Sequence, residues 1–131
     1  MEAACSQPVE MKRFRPNVVV SGEELEAFEE DFWHRFSISS SDEDAALQLE
    51  SVKPCSRCKV TNVNQDTGAV SPNTLQTLMQ MRRGRQLASK VQMFADRPEW
   101  EQAAFFTWNC VAHDEGFIAV GDTFTVNARR E

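Results

Sequence analysis

At 131 residues, with 41% hydrophobic and 26% charged side chains, the chain has the size and make-up of one soluble globular domain. A net charge of -6 and a pI near 5.0 argue against a general nucleic-acid binder. No apolar run approaches the roughly 20 residues that a bilayer-spanning helix needs, so no membrane segment is expected.

Residues 1–8 are small and polar and read as a loose lead-in. They carry neither an apolar signal core nor a basic amphipathic pattern, so neither export nor an organelle address is expected. Four cysteines without a secretory signal point to thiol or metal chemistry rather than a disulfide framework. Arg13, Arg15 and Asn17 alternate and are expected to share one face of an extended segment. Val18-Val19-Val20 then reads as a buried strand, ended by a turn at Ser21-Gly22, with Pro16 at its start or on an edge. Residues 23–31 hold six carboxylates around Leu25, Ala27 and Phe28. They read as a solvated loop or short helix, or else as a docking patch for a basic partner. Residues 31–38 alternate as a strand with Phe32, His34, Phe36 and Ile38 on one face. Residues 39–44 form a polar, acidic loop, and 47–52 resume strand alternation.

Val52-Lys53-Pro54-Cys55-Ser56-Arg57-Cys58-Lys59-Val60 follows, two thiols three residues apart beside three cations in an otherwise acidic chain. Residues 59–63 are rich in β-branched side chains and predict a return strand. Gln65-Asp66-Thr67-Gly68 is a turn with Gly68 suited to positive φ. Ser71-Pro72 opens a helix carrying Leu75, Leu78 and Met79 at helical spacing. That helix is predicted to run to about Arg83 and stop at Gly84, with Arg82, Arg83 and Arg85 complementing its dipole. Residues 86–104 carry little periodic signal. Residues 104–112 predict a strand through Phe105, Phe106, Trp108 and Val111, turned by Asp114-Glu115-Gly116. Residues 117–120 and 123–126 predict a last short strand pair, and 127–131 a polar tail. Many short strands with one clear helix imply a mainly β fold, a small barrel or sandwich.

The cysteine loop admits three chemistries on spacing alone. Cys55 and Cys58 are half a zinc site that Cys110 and His113 could complete, although apolar neighbours place the second pair in a sheet strand. A thiol redox pair normally opens a helix, and the β-branched residues after Cys58 remove that helix. The third reading is one thiolate on a soft transition metal held mainly by an organic cofactor. Lys53, Arg57 and Lys59 suit a thiolate and an anionic cofactor, and Arg15 and Asn17 could add a guanidinium fork and an amide. His34 and His113 read as ordinary, partly buried histidines, and Asp66 and Asp122 as turn residues. No serine-nucleophile motif and no Gly-rich phosphate loop is present.

Several stretches, in order, resemble the MOSC domain: Met11-Lys-Arg-Phe-Arg-Pro-Asn-Val-Val-Val-Ser-Gly22, Ala27-Phe-Glu-Glu-Asp31 with Trp33, and Val52-Lys-Pro-Cys-Ser-Arg-Cys58 with Thr61, Val63 and Thr67-Gly68. The likeness is to the branch that holds the mitochondrial amidoxime-reducing component and its bacterial relatives. Thr74-Leu-Gln-Thr-Leu78, Asn109 and Gly116-Phe-Ile-Ala-Val-Gly-Asp122 extend it, with a poorly matching stretch from about Arg83 to Thr107. The resemblance implies that residues 9–131 are the C-terminal part of a MOSC domain, a partial β-barrel with one or two short helices. It implies a molybdenum cofactor (molybdopterin), with Cys58 as metal ligand and catalytic residue, and Arg15, Asn17, Ser56 and Arg57 as cofactor contacts. It implies reduction of small N-hydroxylated substrates such as amidoximes, with electrons from a haem or flavin partner protein, at a mitochondrial surface or in the cytoplasm. Pyridoxal phosphate binding also belongs to the family at large. A non-catalytic cofactor-binding or carrier domain, as in the molybdenum cofactor sulfurases, is the alternative, and an inactive fragment a third. The chain departs from the family where Phe-Gly-Gln-Asn is usual: here it reads Phe106-Thr107-Trp108-Asn109. The family's preceding β domain and first part of the MOSC domain do not match anything before Val9. A partial barrel leaves unpaired strand edges, which favours dimerisation.

Overall fold

The computed structural model describes residues 9–40 and 46–131. The expected lead-in at 1–8 and the acidic stretch at 41–44 lie outside them. The chain divides into two compact units, one made of Met1–Val19 and Ser56–Phe106, the other of Val20–Cys55 and Thr107–Glu131.

Four strands form one sheet: β1 (Trp33–Ser39), β2 (Leu47–Ser56), β3 (Phe105–Ala112) and β4 (Thr123–Arg129). Their order is β3-β2-β1-β4, and β1 pairs antiparallel with both β2 and β4. The sheet ends in two open edges rather than closing. The helices of the described residues are few and short, and the fold is mainly β, as expected.

In the second unit, the register sets Phe36 opposite Leu49 and Ile38 opposite Leu47, so alternate residues gather on one apolar face. Trp33, Phe36 and Ile38 are buried, and the Phe124 ring packs 4.8 Å from Trp33 and 4.7 Å from Phe36. The expected face of Phe32, His34, Phe36 and Ile38 is therefore corrected. Register shifts against β4 between Trp33 and Phe36 bring Trp33 to the core side, leaving Phe32 and His34 half-buried. The predicted polar tail is also corrected, since β4 continues to Arg129 and pairs with Trp33. Arg130 then closes the unit. Its Nη2 donates to the carbonyls of Trp33 and Ser51 (both 2.8 Å), and its guanidinium lies 4.0 Å above the Trp108 ring. The Trp108 indole N–H donates to Asp31 at 3.0 Å. Burial pulls the Arg130 pKa down, while Asp31 opposes the shift. Residues 117–120 form no strand; Phe117 is 96% exposed.

In the first unit, three short helices follow one another: α1 (Asn73–Met81), α2 (Gly84–Leu87) and α3 (Gln92–Ala95). Their core is Leu78, Leu87, Val91, Phe94 and Phe105, with Phe94 edge-on to Phe105 at 5.1 Å. The helix predicted from Ser71-Pro72 is present, but it stops at Met81 rather than Gly84. Gly84 instead begins α2. It is buried, and a Cβ there would meet the Trp100 carbonyl oxygen at 2.1 Å. Arg82 is buried as well, and its Nε donates to the Phe105 carbonyl at 3.0 Å. Its place is a clasp between backbone segments, not a solvated partner for the helix dipole.

Two further expected strands are absent. Val18-Val19-Val20 is irregular, with Val18 44% and Val19 60% exposed. Lys59–Asn62 is a 3-10 turn, not a return strand. Its cause is local: the Thr61 hydroxyl and N–H both donate to the Cys58 carbonyl, at 2.9 and 3.2 Å. Such side-chain-to-backbone bonding outcompetes the β preference of Val60 and Thr61.

Candidate functional site

The cysteine loop is built by Arg57. Its backbone N–H donates to the Ala104 carbonyl at 2.8 Å, its Nε to the Phe106 carbonyl at 3.0 Å, and its Nη1 to the Phe14 carbonyl at 3.1 Å. The guanidinium also sits 5.4 Å above the Phe14 ring, which itself packs 4.5 Å from Phe106. One planar fork thus fastens three backbone segments, which a lysine's single ammonium does not reproduce.

The Phe14 end of that tie is a turn. Met11–Phe14 is a 3-10 helix, closed by Arg15 in the left-handed region (φ 51, ψ 51) with its N–H on the Lys12 carbonyl. The extended face expected for Arg13, Arg15 and Asn17 is corrected accordingly. The turn is held twice more: Arg13 Nη1 lies 3.5 Å from the Thr61 carbonyl, and Lys12 pairs closely with Asp66. The Asp66 carboxylate holds the Lys12 ammonium pKa above its ordinary value. Asp66 also sits in the predicted turn, where Gly68 has φ 77 as expected.

Cys58 is exposed and extended (φ -123, ψ -173) immediately before the Lys59–Asn62 turn. Arg15 follows Phe14 and Cys58 follows Arg57, so both exposed residues are chain neighbours of the pair joined by the bond from Arg57 Nη1 to the Phe14 carbonyl. Asn17 is exposed two residues beyond Arg15, and Ser56 is exposed at the end of β2. The fold thereby joins the segment that holds Arg15 to the loop that holds Arg57 and Cys58, more than forty residues later in sequence. Cys55 lies within β2 and is half-buried.

The second zinc half-site does not assemble as the spacing allowed. Cys110 Sγ approaches the Trp108 carbonyl at 3.8 Å, whereas the His113 ring is 3.1 Å from Glu50. Three residues apart along an extended chain, the two side chains leave on opposite faces. Among the described residues, no group of three or more His, Cys, Asp or Glu is arranged to hold a metal ion.

One constellation escaped the sequence. His34 Nε2 lies 2.9 Å from Glu50 Oε1, and His113 Nε2 lies 3.1 Å from Glu50 Oε2. A single carboxylate on β2 therefore ties β1 to the end of β3. These bonds, His34 first, hold the Glu50 pKa below its ordinary value. Only the β1–β2 register, with Arg35 opposite Glu50, could have revealed the pairing. The departure at Thr107 is also visible in the backbone: it adopts φ 70, a conformation natural to the glycine usual in the resembled motif.

The chain is similar in sequence to several known proteins. Mitochondrial amidoxime reducing component 2 of Rattus norvegicus is 41% identical over 75 residues, which cover 56% of this chain and 20% of that protein. Mitochondrial amidoxime-reducing component 1 of Homo sapiens is 29% identical over 123 residues, 93% of this chain and 32% of the relative. Molybdenum cofactor sulfurase of Oryza sativa subsp. japonica is 37% identical over 83 residues, 60% of this chain and 9% of the relative. The chain thus spans a third or less of the length of these relatives. No helix among the described residues is long and apolar enough to cross a membrane. The MOSC domain family model matches residues 1–125, and the chain belongs to the MOSC domain family.

Proposed function

We propose that this chain is the C-terminal, cofactor-holding part of a MOSC domain from a molybdenum-dependent reductase of N-hydroxylated compounds. The observation that supports the reading is the Arg57 fork, whose bond to the Phe14 carbonyl ties together the segments in which Arg15 and Cys58 lie. The donor set suits the group. Cys58 offers an exposed thiol, the soft ligand that a molybdenum centre takes. Arg15, Asn17 and Ser56 are exposed polar groups, able to meet an anionic pterin and its phosphate. Arg57, expected as a cofactor contact, also has a positioning part. Two of its guanidinium nitrogens are spent on carbonyls, so it acts as the positioning residue that holds both corners of the site.

When bound, the cofactor supplies a metal that changes oxidation state as the N–O bond of an amidoxime or similar substrate is reduced. The chain's own contribution is to ligate through Cys58, to orient through Arg15 and Asn17, and to hold the loop rigid through Arg57 and Thr61. A haem or flavin protein supplies the electrons, in the setting that the relatives' names give, the mitochondrion.

Elemental analysis of the purified protein tests this reading. Molybdenum is expected at near one atom per chain, lost in Cys58→Ser and largely retained in Cys55→Ser. Equal loss in both variants points instead to a dithiol site. The likeness to the rice molybdenum cofactor sulfurase favours a second reading, a domain that carries the cofactor without reducing a substrate. Bound molybdenum with no turnover of an amidoxime, under a chemical electron donor, selects it. A pure chain holding no molybdenum refutes both.

A further inference from the structure

The first unit carries a cleft that shares only Lys59 with the residues weighed for the cofactor. It encloses about 450 Å³ beside α1. Leu75 and Met79 supply an apolar wall, Gln76 and Gln80 amides on the same helix, and Lys59 and Arg83 the charges. Positions 75, 76, 79 and 80 recur at helical spacing, so one face of α1 lines the cleft. That face is fixed at its start, where the Leu75 N–H donates to Asn62 Oδ1 at 2.9 Å.

Two features point to the chemistry of an occupant. None of the lining residues is acidic, although the chain has 20 carboxylates against 14 cations. And the guanidinium of Arg83 is only lightly held at its outer end, where Nη1 lies at the limiting distance of 3.5 Å from Gln102 Oε1, so an anionic oxygen competes well for it. We propose that this cleft binds a small organic carboxylate: the carboxylate engages Arg83 with Lys59 nearby, and an apolar body lies on Leu75 and Met79. The guanidinium plane matches a carboxylate's geometry.

The test is an amide-shift NMR titration of the full chain with benzoate, with benzamide as the uncharged isostere. Saturable shifts are expected at Leu75, Gln76, Met79 and Gln80, with a dissociation constant of order 1 mM. Arg83→Gln is expected to weaken benzoate about tenfold, the factor for one lost charge-assisted hydrogen bond. Lys59→Gln, at an exposed position that the fold does not need, is expected to weaken it about threefold. Benzamide is expected to bind at least about tenfold more weakly than benzoate. Absence of saturable shifts on α1, equal binding of benzamide and benzoate, or an unchanged constant in both variants each overturns the proposal. None of these readouts depends on molybdenum, so the result stands apart from the fate of the cofactor reading.

Discussion

Thr107 offers the sharpest test of the backbone argument. It holds φ 70, inside the left-handed region that a β-branched side chain resists. The conformation costs an L-residue about 1–2 kcal/mol, with a β-branched residue at the upper end. Glycine removes that cost. It adds about 0.5–1 kcal/mol of unfolded-state entropy to be lost on folding. Thr107 is half-buried, so part of its methyl contact is also forfeited. The difference leaves Thr107→Gly about 0.5–1 kcal/mol more stable than the parent, whereas glycine in an ordinary strand destabilises by a similar amount. Urea unfolding followed by circular dichroism measures it, since a midpoint shift at constant slope reports stability alone. Thr107→Ala serves as the control. It keeps the left-handed penalty and removes the hydroxyl and methyl, so it is expected to be no more stable than the parent. A midpoint for Thr107→Gly at or below that of Thr107→Ala refutes the claim that this position stores strain.

Gly84→Ala is expected to lose about 3 kcal/mol or more, because its Cβ would meet the Trp100 backbone and push apart Gly84 N–H and the Ala103 carbonyl, now 3.0 Å apart. Thermal unfolding checks it, and a wild-type midpoint would disprove the close approach. Arg57→Lys is expected to cost about 2 kcal/mol, since the Phe14 and Phe106 carbonyls lose a shared donor. Hydrogen exchange should show faster opening of residues 11–15 in that variant, and unchanged protection there would contradict the clasp. Glu50 has a folded pKa below its ordinary 4.5, so its stabilisation is in place above that value and fades as pH falls through the lowered folded pKa. Glu50→Gln should flatten the stability curve on the acid side of about pH 4.5. A variant curve parallel to the parent's there would show that the two histidines do not hold this carboxylate.

What the sequence made legible was whatever rests on short-range chemistry. The existence of β1, β2 and β3, a helix starting just after Pro72 and the positive φ at Gly68 all follow from neighbours a few residues away, although no side chain caps α1 where the Ser71 hydroxyl was expected to. The failures have a common origin in competition that composition does not display. Lys59–Asn62 has strand-forming residues, yet one threonine bonded to the Cys58 carbonyl coils it. The Val18-Val19-Val20 run has no alternation to assign a face, and its apolarity alone did not bury it. β4 was cut short because residues 127–131 look like a tail, while the partners of Ala128 and Arg129 lie on β1 more than ninety residues earlier. The candidate site was legible as a set of residues but not as a geometry. Arg57 was expected to face a cofactor, and only its carbonyl partners show it to be the bolt between two turns. The Glu50 clasp was invisible for the same reason, its two histidines lying 16 and 63 residues away.

The three tryptophans divide between the compact units, Trp100 in one and Trp33 and Trp108 in the other. Their surroundings differ in ways that light reports. Trp108 is stacked under the Arg130 cation and bonded to the Asp31 carboxylate, groups that shift and quench indole emission. Trp100 lies among the rings of Phe94 and Phe105 and under the Arg97 guanidinium, with no carboxylate bonded to its indole among the described residues. Each unit therefore carries its own optical probe. With Trp33→Phe as the common background, emission from Trp100 and Trp108 can be collected separately after a stopped-flow jump, giving the order in which the helical and sheet halves of the chain come apart.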